Sequence, residues 1–466
     1  MTDAYAGINA ILMRLHLTTW EDHQKYANLE VLIEDIYTND KLSKSRVYLT
    51  TLQASTGENV WSTIDKRSHR IRQRMVGAVL NDRSIQQFEP TIAKEVDIFL
   101  GVVLSSCLAG QPLNMTEKFS YLMLDIVGQL AFGYANKAQI LPKNRFLSKG
   151  IMIANYHNNV LMQYPTLAQS WIVSLMHRIT ARRQQKNLDS LRKIIRRRTA
   201  QGVDAHYDLY HFVTKQMGSE DTKDIELSEL WSEAAMFYVA GGETTSTTLC
   251  ALFFYLARNP ECYTRLAAEI RSTFDKGSDI RRGAKLAGCQ YLRACIEETL
   301  RIAPPGPGTF WREDLRNGSD IDDPVVIDGH VISPGTQVGV CTYAIHHNEE
   351  YFPEPFLFKP ERWVAGGIAS KNFAPLAAFS MGPRSCPGKA LAYLEISLTV
   401  AKTLWYFDFQ RTLGSLGDVG GGKEGRQGGR GRVDEFQLYD VFASTHSGPI
   451  LSFYPRGEYW KDIKPM

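Results

Sequence analysis

Apolar residues recur at helical spacing from Ser228 to Arg258, and Asn259-Pro260 closes the run, which predicts one long continuous helix. A second such run, Lys389 to Trp405, carries leucines and alanines without an internal breaker, and a third, Gln290 to Ala303, is stopped by Pro304-Pro305. Between about 85 and 225, amphipathic stretches such as Ile92–Leu104 alternate with polar breaks and predict further helices. Strand signals are few. The stretch Gly306 to Arg312 is rich in glycine and proline, disfavours helix, and is predicted to turn into an extended strand. The pattern is mainly α with a small β portion, and residues 1–466 are expected to form a single domain whose segment 1–45 carries no recognisable chemistry.

Composition narrows the picture. Hydrophobic residues make up 44% and aromatics 11% of 466 residues, ample for a large core. A net charge of +3 gives no reason to expect nucleic acid or an acidic substrate. The Gly/Arg-rich stretch 414–432 reads as a flexible surface insertion; its RNA-like composition is set aside because it interrupts an enzyme-like chain. Seven cysteines, odd in number and without a Cys-x-x-Cys pair, read as reduced thiols. No run of about twenty apolar residues predicts a membrane span, and Ala10–Leu15 is too short and too interrupted by Arg14 for a signal peptide.

Three places carry candidate chemistry. The loop Phe379-Ser-Met-Gly-Pro-Arg-Ser-Cys-Pro-Gly388 delivers Cys386 to the start of the helix that begins at Lys389, where free N–H groups and the helix dipole are expected to favour thiolate, a soft ligand for iron. Gly382 and Gly388 are expected to let the backbone approach something flat and bulky, and Arg384 adds a fixed charge. The long helix contains Ala240-Gly-Gly-Glu-Thr-Thr-Ser246, unfavourable to helix and so expected to open locally; there Glu243 and Thr244 offer a carboxyl and a hydroxyl able to relay protons. A third helix, with Asp65 as N-cap, carries His69, Arg72 and Arg74 within a turn and a half, a set of bases able to hold carboxylates. Elsewhere, the basic run Lys193–Arg198 reads as a solvated face.

The pattern Phe-x-x-Gly-x-Arg-x-Cys-x-Gly, filled by Phe379, Gly382, Arg384, Cys386 and Gly388, resembles the haem-ligand loop of the cytochrome P450 family. Ala240, Gly241, Glu243 and Thr244 match that family's Ala-Gly-x-Asp/Glu-Thr signature, Glu298 and Arg301 its Glu-x-x-Arg pair, and Pro360–Trp363 its Pro-Glu-Arg-Phe/Trp element. The resemblance, which looks most like fungal enzymes of secondary metabolism, implies haem b held by Cys386 as axial iron ligand, with Thr244 and Glu243 delivering protons to bound oxygen. It also implies a structural triad of Glu298, Arg301 and Arg362. His69, Gly241 and Arg312 would contact the haem, Thr309 and Phe310 would look into the pocket, and Phe442–Gly448 would close it.

The family's His-x-x-x-Arg pattern is broken by Gln73, so Arg72 or Arg74 must substitute, Arg74 by register. The implied function is O2- and NADPH-dependent oxidation of a hydrophobic small molecule by a monomer, with electrons from NADPH-cytochrome P450 reductase docking on the basic face near Cys386. The implied location is the cytosolic face of the endoplasmic reticulum membrane. The segment before Glu58 is too short for the anchor, proline-rich hinge and first strands of fungal relatives, so either the start codon is mis-assigned or the fold is expected to lack part of its β portion. A haem-binding protein without oxygenase activity, or a haem-thiolate isomerase or dehydratase, is the alternative; Glu243 and Thr244 argue for oxygen chemistry.

Overall fold

The computed structural model describes residues 29–54, 57–165, 185, 189–216, 227–316, 323–364 and 376–466. The helices that position the site are α1 (Leu29–Tyr37), α2 (Lys66–Val79), α3 (Asp82–Leu108), α4 (Met115–Phe132), α5 (Phe146–Gln163), α6 (Leu209–Gln216), α7 (Leu227–Arg258), α8 (Pro260–Thr273), α9 (Ala284–Ala287), α10 (Gln290–Ile302), α11 (Thr342–His346) and α12 (Lys389–Tyr406). Among the described residues three small antiparallel sheets accompany the helices. They join β1 (Ser43–Lys44), β3 (Arg312–Glu313) and β6 (Gln337–Val338); β2 (Leu113–Asn114), β8 (Ile450–Pro455) and β7 (Phe407–Arg411); and β4 (Val325–Ile327) with β5 (His330–Ile332).

Helix α7 is the central post. Its residues Leu249 to Leu256 are buried on every side, and Phe253 meets Phe119 of α4 at 5.1 Å and Phe409 of β7 at 4.9 Å between ring centroids. Glycines set how closely α4 and α7 approach. A Cβ on Gly128 would lie 2.7 Å from the Tyr238 hydroxyl, and one on Gly241 would lie 3.0 Å from a Val127 methyl. The glycine at 241 therefore serves helix packing, whereas a Cβ on Gly242 would meet nothing within 4 Å, so the room that the glycine pair suggested lies at Gly242. Nor does α7 open at Gly241-Gly242: it stays regular, and the Thr244 hydroxyl donates back to Ala240 O at 2.5 Å while that of Thr248 donates to Thr244 O at 3.0 Å. Back-bonding satisfies the hydroxyls within the helix, so no break is needed.

Three other expectations change. The β portion has a strand before residue 58, because Ser43–Lys44 pairs with Arg312–Glu313. The stretch 414–432 forms backbone-bonded turns: Gly422 N–H donates to Arg432 O (3.0 Å), Lys423 N–H to Arg430 O (2.8 Å), and Arg258 reaches in to Gly417 O (2.9 Å). A side chain at 417, 421 or 422 would lie within 2.4 Å of a carbonyl oxygen, so these glycines permit close backbone packing, a use that composition alone does not distinguish from flexibility. Finally, Arg198 leaves the solvated face formed by Lys193, Arg196 and Arg197; it is buried, paired with Asp208, and donates to Gly202 O and Val203 O.

Candidate functional site

The cysteine loop is held at both ends. Cys386 N–H donates to Phe379 O at 2.8 Å, the Phe379 ring packs on Tyr393 of α12 (5.4 Å), and the loop then enters α12 through Gly388. Gly382 has φ +66°, and a Cβ there would lie 2.2 Å from Tyr37 O, so the close approach it permits is to the end of α1. Gly388 is less constrained, since its Cβ would lie 3.7 Å from Cys386 Sγ. Cys386 is accessible on one side, yet the protein packed around the rest of it pushes the thiol up, against the pull of the Gly388 N–H, the Lys389 charge and the Lys389 N–H. The helix start thus pulls in the expected direction, and the surrounding protein opposes it.

Beside the loop lies a group of basic side chains. Arg384 donates to Thr63 O (2.6 Å) and Ile64 O (3.0 Å), tying the cysteine loop to the turn before α2, and Asp65 at the start of α2 accepts from Ser68 N–H (2.7 Å). His69 is buried one turn on, its pKa pushed down to about 3 by burial first and then by Arg384, Lys44 and Arg312. Arg312 lies over the Tyr37 ring at 4.8 Å, and among the described residues its side chain donates only to the carbonyls just before it, Phe310 O at 3.5 Å and Trp311 O at 3.3 Å. Burial lowers the pKa of Arg384 to about 10, with Arg312 adding to the effect and the Asp65 charge opposing it. Among the described residues no ion pair joins a carboxylate to Lys44, His69, Arg312 or Arg384. Buried cations without counter-charges are costly, and a ligand bearing carboxylates offsets that cost.

The arginines of α2 do not join this group. Arg72 is buried and paired with Glu229 (2.7 Å) and Glu233 (3.3 Å) of α7, and Arg74 is exposed. At about 100° per residue, a position five after His69 lies roughly 140° round the helix, whereas Gln73 shares the His69 face. The choice of Arg74 is thus corrected. In its place the structure brings in Lys44, which sequence reasoning missed because a two-residue strand has no readable period.

On α7, burial raises the Glu243 carboxyl to about 7. Its charge also acts on the thiol of Cys250, seven residues on, which marks the face it takes. Thr244, one residue later, is turned about 100° away. Next in the chain, Thr245 donates to Glu395 of α12 at 3.3 Å, so the helix of Glu243 and Thr244 crosses the helix that starts behind Cys386.

Behind the loop, Glu298, Arg301 and Arg362 meet in one buried network. The Glu298 carboxylate accepts from Arg301 Nε (2.9 Å) and Nη2 (2.8 Å), Arg362 Nε (3.3 Å), Trp363 Nε1 (2.9 Å) and Lys359 N–H (2.9 Å). Arg301 also donates to His346 O and Pro355 O, both at 2.8 Å. The His346 ring then accepts from Ala377 N–H at 2.9 Å, two residues before Phe379. The network therefore reaches the cysteine loop through a histidine that no sequence motif indicates. Thr309 forms a bridge to Cys341, and Phe310 meets Phe442 at 5.9 Å, with Ser444 donating to Pro305 O to hold the 442–448 turn in place.

The model for the cytochrome P450 family matches residues 22–415. A cytochrome P450 monooxygenase of Gibberella zeae is 34% identical over 91% of this chain and 97% of its own length, and the cytochrome P450 monooxygenase apf7 of Gibberella fujikuroi is 30% identical over 98% and 92%. The fold is similar to that of a crystal structure of the cytochrome P450DA heme domain, with a TM-score of 0.74 at 16% identity, over 92% of this chain and 86% of that one. With a family match across most of its length and an accessible cysteine beside a group of unpaired cations, this chain belongs to the cytochrome P450 family.

Proposed function

We propose that the protein is a haem-thiolate monooxygenase that oxidises a hydrophobic small molecule, using O2 and electrons from NADPH. The observation that carries this reading is the juxtaposition of an accessible cysteine and a group of buried and half-buried basic side chains that, among the described residues, have no carboxylate partner, a donor set that fits an iron porphyrin bearing carboxylates. Haem b supplies the electron storage and oxygen activation that no side chain provides. In this reading Cys386 binds the iron, Phe379 packs beside it, and His69, Arg312 and Arg384 hold the carboxylates.

Thr244 and Glu243 manage protons. Because the Thr244 hydroxyl spends its hydrogen on Ala240 O, its oxygen is available to accept from water or from a protonated ligand. A carboxyl near 7 takes a proton from solvent and gives it up again at neutral pH, which suits Glu243 to relay. The edge-to-face group of Tyr48, Trp61 and Phe442, with centroids 5.2 Å and 4.8 Å apart in sequence, packs the start of the 442–448 turn. The substrate in this reading is an apolar small molecule, a fungal secondary-metabolite intermediate.

Electrons come from NADPH-cytochrome P450 reductase at the basic face near Cys386, and the protein acts as a monomer at the cytosolic face of the endoplasmic reticulum. No helix among the described residues is long and apolar enough to cross a membrane, so attachment would use other segments or the surface.

The test is the absorption spectrum of the reduced, CO-bound protein. A red-shifted Soret band of thiolate type is expected, and its absence sinks the reading. In the active protein Thr244→Ala is expected to leave NADPH consumption running while product falls; unchanged coupling would remove Thr244 from the relay.

A further inference from the structure

The base expected on α2 is missing at Gln73, and Arg72 is occupied by Glu229 and Glu233. We propose that Lys44, on β1, takes its place and, facing Arg312, binds a carboxylate of the cofactor; this rests on the haem-binding reading above.

Register comes first. Lys44 is the direct partner of Arg312 in the antiparallel β1–β3 ladder, so both side chains leave the sheet on the same face with Cβ atoms about 5 Å apart. Like charges placed directly opposite destabilise a sheet. No acid compensates from the strands themselves, because the neighbouring pair Ser43–Glu313 points to the other face, where Glu313 accepts from Arg46 and Ser45.

Burial is the second argument. Lys44 is 7% exposed, and its ammonium lies 4.1 Å above the Tyr48 ring and 4.2 Å above the Trp61 ring while donating to Trp61 O. An ammonium has three donors, and one carbonyl and two ring faces do not neutralise its charge. Burial first, and then the charges of Arg384 and Arg312, both positive, hold its pKa well below the ordinary lysine value, so the ammonium lacks the anion that would sustain it. Four basic groups from four separate segments, Lys44, His69, Arg312 and Arg384, thus converge, and among the described residues no carboxylate pairs with any of them, the Asp65 charge acting on Arg384 alone. That arrangement is preorganised for an anion.

The experiment compares purified protein loaded with protohaem and with its dimethyl ester, which lacks free carboxylates, following transfer of each haem to apomyoglobin. In the unaltered chain protohaem is expected to leave at least about tenfold more slowly, as expected for lost charge-assisted hydrogen bonds. Lys44→Met is expected to speed protohaem release by about 10- to 100-fold and leave release of the diester unchanged. Lys44→Arg should restore retention, and Gln73→Arg should restore it in part in the Lys44→Met chain. Equal acceleration of both haems by Lys44→Met, or no acceleration of either, overturns the proposal. If Lys44→Met does not fold, Lys44→Gln serves, and equal release of the two haems from the unaltered chain overturns it without any variant. Failure to take up protohaem with a thiolate-type spectrum would instead count against the haem-binding reading itself.

Discussion

Replacing Glu298 with glutamine tests whether the network behind the cysteine loop governs stability. The carboxylate is fully buried and accepts five hydrogen bonds, three of them from the Arg301 and Arg362 guanidinium groups. Glutamine keeps the volume but offers one oxygen, and it turns an amide N–H2 toward groups that are themselves donors. Arg301, 0% exposed, loses its counter-charge and keeps only carbonyl partners. Breaking a buried ion pair from one side costs about 3–5 kcal/mol, a large part of the roughly 5–15 kcal/mol that holds a typical domain folded. The comparison is Lys359→Met, which removes a 2.9 Å pair to Glu354 that is about half exposed on both sides. That loss is expected to cost under about 1 kcal/mol. Urea unfolding of the two variants, followed in parallel with loss of the Soret band, measures both. If Glu298→Gln lies within about 1 kcal/mol of the unaltered protein, the network does not carry the loop and the reasoning fails.

Two further outcomes follow from groups already described. Burial with no facing cation raises the Glu243 carboxyl from 4.5 to about 7, so the folded chain holds a proton that the unfolded chain has released, and stability falls as pH rises between those values. The stability advantage of Glu243→Gln over the unaltered chain should therefore grow with pH by up to about 3 kcal/mol; parallel stability curves from pH 4 to 8 would refute the assignment. Gly382→Ala, whose Cβ would meet Tyr37 O at 2.2 Å in a left-handed backbone conformation, should lower the thermal midpoint and release α1 to protease, whereas Gly388→Ala, with 3.7 Å of room, should leave the haem-free protein as stable as before. Equal behaviour of the two glycine variants would show that α1 does not bear on the loop.

The long helices and the cysteine loop were legible because each is local. A 3.6-residue period, a proline stop after Ala303 and five specified positions within ten residues all lie inside one window of sequence. What was illegible depends on partners far along the chain. Lys44 acquires meaning only from Arg312, paired with it across a two-residue strand. Arg72 and Arg74 differ only in that Glu229 and Glu233 wait for one of them. The glycines of 414–432 resemble a flexible linker until the carbonyls they pack against are known. The surroundings of Cys386 were hidden for a related reason: a helix start is visible in sequence, but the protein packed around the sulfur is not.

The contact between Gly382 and Tyr37 O makes the first described helix a mechanical neighbour of the sulfur. The end of α1 rests directly on the turn that precedes Cys386 by four residues, so displacement of α1 is transmitted to the loop through backbone atoms, which yield less than side chains. Tyr37 extends the linkage, since its hydroxyl accepts from Val340 N–H at 3.0 Å and its ring lies under Arg312. Whatever pulls on the segment ahead of α1, whether a lipid surface or a purification tag, is felt at Cys386 and at Arg312 together. In the proposed haem-thiolate reading, the spectrum of the cofactor becomes a gauge of how α1 is held.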